Sequence, residues 1–162
     1  MSRSDLDPAD FRQLLGRFAT GVTIVTLTLP DGQPAGMTAN SLASVSLDPP
    51  LVLVCIDHAA ELYASLLAAP GFVINILEAS QESLSRRFAT RHLNRFDGIG
   101  YHTSAEGQPV LDGVLAHIEC SPHATFPAGD HTIVVGRVLR GDTTDGAPLV
   151  YFRGGYTGLN HG

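Results

Sequence analysis

Apolar residues recur at helical spacing near the start of the chain, at Phe11, Leu14, Leu15 and Phe18, and elsewhere fall mostly into blocks of strand length. Asp7 is a candidate cap and Pro8 suits a first helical turn, so a short amphipathic helix is expected from Pro8 to Phe18. Gly21 to Leu29 is rich in β-branched residues and closes on Pro30-Asp31-Gly32, which predicts a strand and a turn. A second strand is expected from Ala35 to Asn40. The continuous apolar run Leu51 to Ile56 predicts a buried strand, entered through the rigid pair Pro49-Pro50. Ala59 to Ala69 suggests a second helix ended by Pro70-Gly71, and Phe72 to Leu77 another strand. Ser80 offers an N-cap for a third helix running to about Ala89. Thr90 to Gly107 is irregular and reads as a long loop. Strands resume at Val114 to Cys120, Thr132 to Leu139 and Leu149 to Phe152, with turns at Gly141 to Gly146 and at Gly154-Gly155.

Six or seven strands with three short helices predict a mainly β, antiparallel barrel with helices packed outside it. Strands do not alternate with long helices and no GxGxxG occurs, which argues against a Rossmann sheet. With no repeat and no linker, the 162 residues are expected to form one domain, large enough to bury a core without disulfides or metal.

Composition narrows the possible functions. A formal net charge of −6 lacks the basic footprint of a nucleic-acid binder. No run of about 18 apolar residues suggests a membrane span. The N-terminal Met1 to Pro8 lacks the apolar stretch of a secretory signal, so a cytoplasmic location is expected. All 10 basic residues are arginine, which excludes lysine Schiff-base chemistry and the lysine phosphate loop. Cys55 and Cys120 each sit in an apolar run, as small buried hydrophobes do.

Three polar constellations interrupt this apolar frame. Between Gly36 and Pro50 stand Thr38, Asn40, Ser41, Ser44 and Ser46, more polar groups than an ordinary hairpin needs. The first three offer the donors and acceptors that a dioxo-pyrimidine edge requires, and Ser44 and Ser46 could reach a ribityl chain or a phosphate. The second constellation, Ser80 to Ala89, opens a helix on serines, with Arg86 and Arg87 in it and Arg91 and Arg95 beyond. That is the chemistry of an anion site. The third, Gly129-Asp130-His131, places an imidazole at the entrance of an apolar strand, where it could donate to a substrate amide or handle a proton. His58, His92, His102, His117, His123, His131 and His161 are dispersed without HxH, HxxxH or HExxH spacing, and GxSxG is absent. Metal and serine-hydrolase chemistry are therefore disfavoured.

Taken in order, Phe18-Ala19-Thr20-Gly21-Val22-Thr23-Ile24-Val25-Thr26, Gly36-Met37-Thr38-Ala39-Asn40-Ser41, Ser44 to Leu51, Arg87-Phe88-Ala89, Gly129-Asp130-His131 and Pro148-Leu149-Val150-Tyr151 resemble the flavin reductase family. These are the small NAD(P)H:flavin oxidoreductases of two-component monooxygenases. The resemblance spans about Phe11 to Tyr156 and implies a homodimeric FMN-binding split β-barrel, Greek-key-like. By the same resemblance, Thr38, Ala39, Asn40 and Ser41 line the isoalloxazine, and Ser44, Val45 and Ser46 approach the ribityl phosphate. Cys55, Ile56 and Asp57 border the flavin. Ser83, Arg87, Phe88 and Ala89 hold its phosphate end, His131 meets the nicotinamide, and Tyr151 lies near the cleft.

Two places depart from the pattern: Leu42 stands where phenylalanine is frequent, and Asp57-His58-Ala59-Ala60-Glu61 where serine and threonine are common. The implied activity is hydride transfer from NADH or NADPH to FMN or FAD, with reduced flavin delivered to a separate oxygenase. Two rivals share the fold. One keeps its flavin and passes electrons to a ferric, corrinoid or protein acceptor; the other is a non-catalytic flavin-binding module. A pyridoxamine-phosphate oxidase-like reading rests on fold alone.

Overall fold

A computed structural model describes residues 6–91 and 94–159; His92 and His161 of the dispersed histidines, and the start of the N-terminal segment, lie outside the described residues. The elements in chain order are α1 (Pro8–Leu15), β1 (Thr20–Gly21), β2 (Thr23–Thr28), β3 (Pro34–Ala39), β4 (Ala43–Leu47), β5 (Pro50–Asp57), α2 (Tyr63–Ala68) and β6 (Phe72–Ile76). There follow α3 (Glu82–Ala89), β7 (Tyr101–Thr103), β8 (Pro109–Leu111), β9 (Ala116–Ala128), β10 (His131–Thr143), β11 (Val150–Phe152) and β12 (Gly155–Thr157).

Seven strands form one antiparallel sheet in the order β3-β2-β6-β9-β10-β5-β4. Its two edges, β3 and β4, are consecutive in the chain and joined by Asn40, Ser41 and Leu42 alone. Such a connection spans no more than about 14 Å, so the sheet must curl until its edges meet. Among the described residues no backbone ladder pairs β3 with β4 at that seam. Instead the Ser41 hydroxyl accepts from the Cys55 N–H at 2.9 Å and donates to the Cys55 carbonyl at 3.2 Å, tying the connection to β5. The antiparallel split barrel expected from the sequence is the fold that forms.

Two apolar clusters flank the sheet. Val25, Leu27, Val54, Ile56, Phe72, Ile74 and Val134 fill the barrel, while Val22, Ile24, Leu77, Phe88, Leu111 and Leu149 pack on its outer side. The alternation along Val22 to Leu27 sends successive side chains to opposite clusters, which is why β2 is buried on both faces. Asn75, fully buried, stitches the two sides together: its amide donates to the Ile24 carbonyl (2.9 Å) and to Thr26 Oγ1 (3.0 Å). Its carbonyl oxygen accepts from the Leu111 N–H at 3.0 Å. A buried amide so fully paired costs little and fixes register.

Several elements differ from expectation. Asp7 does cap α1, accepting from the Ala9 N–H at 2.7 Å, but the helix stops at Leu15 and buries no residue. The strand Leu51 to Ile56 is buried at Val54 and Ile56 only, so its apolar run faces the core on one side. The second helix begins at Tyr63, not Ala59, because Asp57 turns the chain first, its carboxylate accepting from the Ala59 N–H at 2.8 Å. Ser80 does not cap α3; its hydroxyl bonds the Glu78 carboxylate, and Gln81 occupies the cap position.

The loop expected at Thr90 to Gly107 contains β7, which pairs with β8. β9 continues to Ala128 through Pro122 and Pro127, and β10 runs on through Gly141, expected as a turn. Beyond Cys120, β9 pairs only with β10, so its outer edge requires no proline N–H.

Candidate functional site

The end of β3, the turn before α2, the C-terminal end of α3 and the β11–β12 hairpin converge on a cleft of about 410 Å³. Met37, Thr38, Ala39 and Asn40 form one wall and Ala59, Ala60, Glu61 and Leu62 another. Phe88, Ala89, Arg91 and Arg95, with Tyr151 and Tyr156 of the hairpin, also line the cleft. The volume and the mix of aromatic groups with few polar ones suit a small-molecule site.

The walls are held by specific bonds. Thr38 donates its hydroxyl proton to the Ser85 carbonyl at 2.6 Å, so its oxygen remains to the cleft as an acceptor only. Ser85, fully buried, bonds Tyr156 through its own hydroxyl at 2.7 Å, linking β3, α3 and β12 around the site. The Arg86 guanidinium lies 4.8 Å above the Tyr156 ring, and Tyr151 meets that ring edge-on at 5.4 Å. Phe88 is buried to 1% exposure against Phe96, ring centres 5.0 Å apart, which contributes about 2 kcal/mol or more. A Cβ at Gly36 would stand 3.0 Å from Phe88 Cε1 and 3.0 Å from the Val25 carbonyl, so a glycine there lets the helix sit against β3.

Four arginines follow in this region, and they divide their work. Arg87 is turned away from the cleft: Nε donates to the Arg95 carbonyl (2.7 Å), and Nη2 to the carbonyls of Asn94 (2.9 Å) and Asp97 (2.7 Å). It braces the loop that carries Arg95. Arg95 is only 15% exposed, donates from Nε to the Thr90 carbonyl (2.9 Å) and from Nη1 to the Gly36 carbonyl (2.8 Å), and presents Nη2 3.6 Å from Glu61. Arg91 lines the cleft beside it, while Arg86 pairs with Glu82 on the helix surface at 2.8 Å.

Of the residues singled out from the sequence, Thr38, Ala39, Asn40, Phe88, Ala89 and Tyr151 line this cleft. Ser41 lies at the seam and Cys55 beside it, with both polar backbone groups of Cys55 taken by the Ser41 hydroxyl. Ile56 points into the barrel core, and Asp57 caps the turn. Ser44, Val45 and Ser46 sit on the exposed edge strand β4, and Ser83 borders a shallow groove with Arg87 on the far side of α3.

His131 opens β10 directly opposite Asp57, and its Nδ1 lies 2.7 Å from the Asp130 carboxylate. That hydrogen bond, then the His131 charge, and to a small extent the charge of His58, hold the Asp130 carboxyl below its usual range. Arg91 and Arg95 of the expected anion site line the cleft, and the cleft residues not singled out as site residues beforehand are Val22, Met37, the wall Ala59 to Leu62 and Tyr156.

Nearby, the buried Thr132 hydroxyl is shared by His58 Nε2 at 2.9 Å and the Tyr63 hydroxyl at 3.0 Å, and the Asp130 carbonyl accepts from the His58 N–H at 3.0 Å. These bonds dock the turn that forms one cleft wall onto the β9–β10 hairpin. Among the described residues no group of three or more His, Cys, Asp or Glu could hold a metal ion. Burial, reinforced by the Glu119 charge, pushes the Cys120 thiol up to about 12, so it is an inert packing group.

Residues 15–160 match the model of the flavin reductase like domain. The chain belongs to this family. It is 49% identical over 146 residues, covering 90% of this chain and 83% of the relative, to the FMN reductase (NADH) SmoA of Agrobacterium fabrum. It is 41% identical over 155 residues, covering 95% and 79%, to the flavin-dependent monooxygenase reductase subunit HsaB of Rhodococcus jostii. An NADH:FAD oxidoreductase of Streptomyces globisporus, solved with NAD and FAD fragments, superimposes with a TM-score of 0.91 at 36% identity, covering 98% of both chains.

Against the flavin that the family implies, the cleft residues fit. Aromatic and apolar groups suit a planar ring system, Thr38 and Asn40 offer polar groups, and Arg91 and Arg95 supply the positive charge that a phosphate would need.

Proposed function

We propose that the chain is an NAD(P)H-dependent flavin reductase that binds FMN or FAD in the 410 Å³ cleft and supplies the reduced flavin to a separate monooxygenase. The observation that carries this reading is the convergence, in a chain of the flavin reductase like family, of Thr38 and Asn40, the Tyr151–Tyr156 pair and the Arg91–Arg95 end on one cleft. A bound flavin supplies the hydride acceptor for a reduced nicotinamide; the chain's own groups bind, orient and select. NADH is the favoured donor, since it is the donor in the names of the Agrobacterium and Streptomyces relatives.

In this reading Thr38 accepts at the ring edge, its hydroxyl proton being committed to Ser85. Asn40 is exposed at the end of β3 and has both a donor and an acceptor to offer. Arg91 and Arg95 take the phosphate, and Arg87 keeps Arg95 in place through the loop carbonyls. His131, oriented by Asp130, donates to the nicotinamide amide and positions it rather than moving a proton.

We further propose that the chain works as a homodimer, with residues 1–162 as one domain whose core is about 11–156. Phe11, Leu14, Leu15 and Phe18 of the N-terminal segment are 52–74% exposed, and Leu47 and Phe126 are exposed to 96% and 55%; a cluster of large apolar side chains such as that on α1 marks an interaction surface. A second copy would cover it and would give Ser44, Val45, Ser46 and His131 a route to the flavin. No helix among the described residues is long and apolar enough to cross a membrane, and the cytoplasm, where reduced nicotinamide is made, is the proposed location.

The experiment is NADH oxidation followed with and without added FMN or FAD. Turnover that depends on added flavin and saturates with it supports the reading; NADH oxidation at background rates with every flavin removes it.

A further inference from the structure

We propose that Glu61 sets how firmly the cleft holds a flavin phosphate, by competing with that phosphate for Arg95. The proposal rests on the flavin reading above and deepens it. Arg95 is anchored by its bonds to the Thr90 and Gly36 carbonyls, which hold its guanidinium on two sides. What it has left to offer lies on the Nη2 side, and there the Glu61 carboxylate stands at 3.6 Å. That separation is an ion pair without a good hydrogen bond.

Glu61 belongs to the turn between β5 and α2, and its side chain is 55% exposed against 15% for Arg95. The cation is built in; the anion is a loosely held placeholder. A phosphate, with several oxygens to match the guanidinium fork, is the better partner. It must nevertheless displace the carboxylate and then tolerate a negative charge nearby.

The position of the pair adds to this. Arg95, Glu61 and Leu62 line both the 410 Å³ cleft and a second cavity of about 700 Å³, bounded beyond them by Phe96 and Tyr101. On the flavin reading a phosphate bound by Arg95 meets Glu61 at this junction. Riboflavin, with no phosphate, would not meet it. Glu61 therefore weakens phosphorylated flavins and leaves the ring's own affinity alone, which favours release of the reduced flavin over its retention.

The test is titration of FMN, FAD and riboflavin into the full chain, followed by flavin fluorescence at low salt, for the wild type, Glu61→Gln and Glu61→Asp. The expected result is that Glu61→Gln tightens FMN about three- to tenfold, a modest effect because the carboxylate is half-exposed. FAD should tighten in the same direction and riboflavin not at all. Glu61→Asp, which keeps the charge, should stay near the wild type, and added salt should shrink the FMN effect. An unchanged FMN affinity in Glu61→Gln, or equal tightening of riboflavin, overturns the proposal while leaving the flavin reading intact. A wild type that binds none of the three flavins overturns both.

Discussion

The Ser41 hydroxyl grips both polar atoms of the Cys55 backbone, accepting from its N–H at 2.9 Å and donating to its carbonyl at 3.2 Å. This one side chain ties the β3–β4 connection to β5, immediately after Thr38 to Asn40 in the chain. Ser41→Ala leaves a half-buried N–H and C=O without partners and should destabilise the fold by about 1 to 3 kcal/mol. Flavin affinity should fall with it, since the wall loses its anchor. Urea unfolding and a flavin titration on the same variant check both; full stability with lost affinity would instead make the hydroxyl a direct ligand.

Arg87 tests whether the first arginine of the Arg-Phe-Ala motif touches ligand or holds the loop. Its bonds to the carbonyls of Asn94, Arg95 and Asp97 require a fork that lysine lacks. Arg87→Lys should therefore lose stability by about 1 to 3 kcal/mol and weaken FMN despite the retained charge. A direct phosphate ligand would be largely rescued by lysine, so wild-type FMN affinity in Arg87→Lys would contradict the bracing role.

Much of this arrangement was legible in the sequence and some was not, for identifiable reasons. Thr38 and Asn40 could be read as a cleft wall because polar side chains at the end of an apolar strand have few other uses. Which arginine faces the cleft could not be read, since it depends on the backbone carbonyls that only the folded chain presents to Arg87 and Arg95. Pro122 and Pro127 hid the long β9 because proline argues against a strand unless one knows that its outer edge is unpaired. Tyr156 went unassigned because its partner, Ser85, is 71 residues away. The helical pattern of α1 was clear, but the sequence did not say that its apolar side chains would stand exposed among the described residues.

That uncovered face carries a prediction of its own. Leu14 is 61% exposed, so Leu14→Glu costs a single chain almost nothing. In the proposed homodimer it buries a charge at the contact and should convert the protein to monomers on size-exclusion chromatography or light scattering. A wild type that is already monomeric, or a variant that stays dimeric, would contradict the proposal.

The Asp130–His131 pair should be visible in acid. Its hydrogen bond, followed by the imidazole's charge, lowers the Asp130 pKa, so folding favours the carboxylate. The resulting stabilisation is present above the ordinary aspartate pKa of about 4 and is lost as pH falls through the lower folded value. Asp130→Asn should be slightly less stable than the wild type at neutral pH, and the gap should close at low pH. Urea midpoints measured across that range check it, and a gap that widens in acid would show that the sign is wrong.

Flavin reduction itself is measured by mixing the protein with FMN, then with FAD, under anaerobic conditions and adding NADH while the flavin's visible absorbance is followed. The absorbance should bleach rapidly with protein and only at background rate without it, and His131→Ala should slow bleaching by raising the NADH requirement. Flavin that binds in the cleft but is never bleached by NADH or NADPH would contradict the reductase reading.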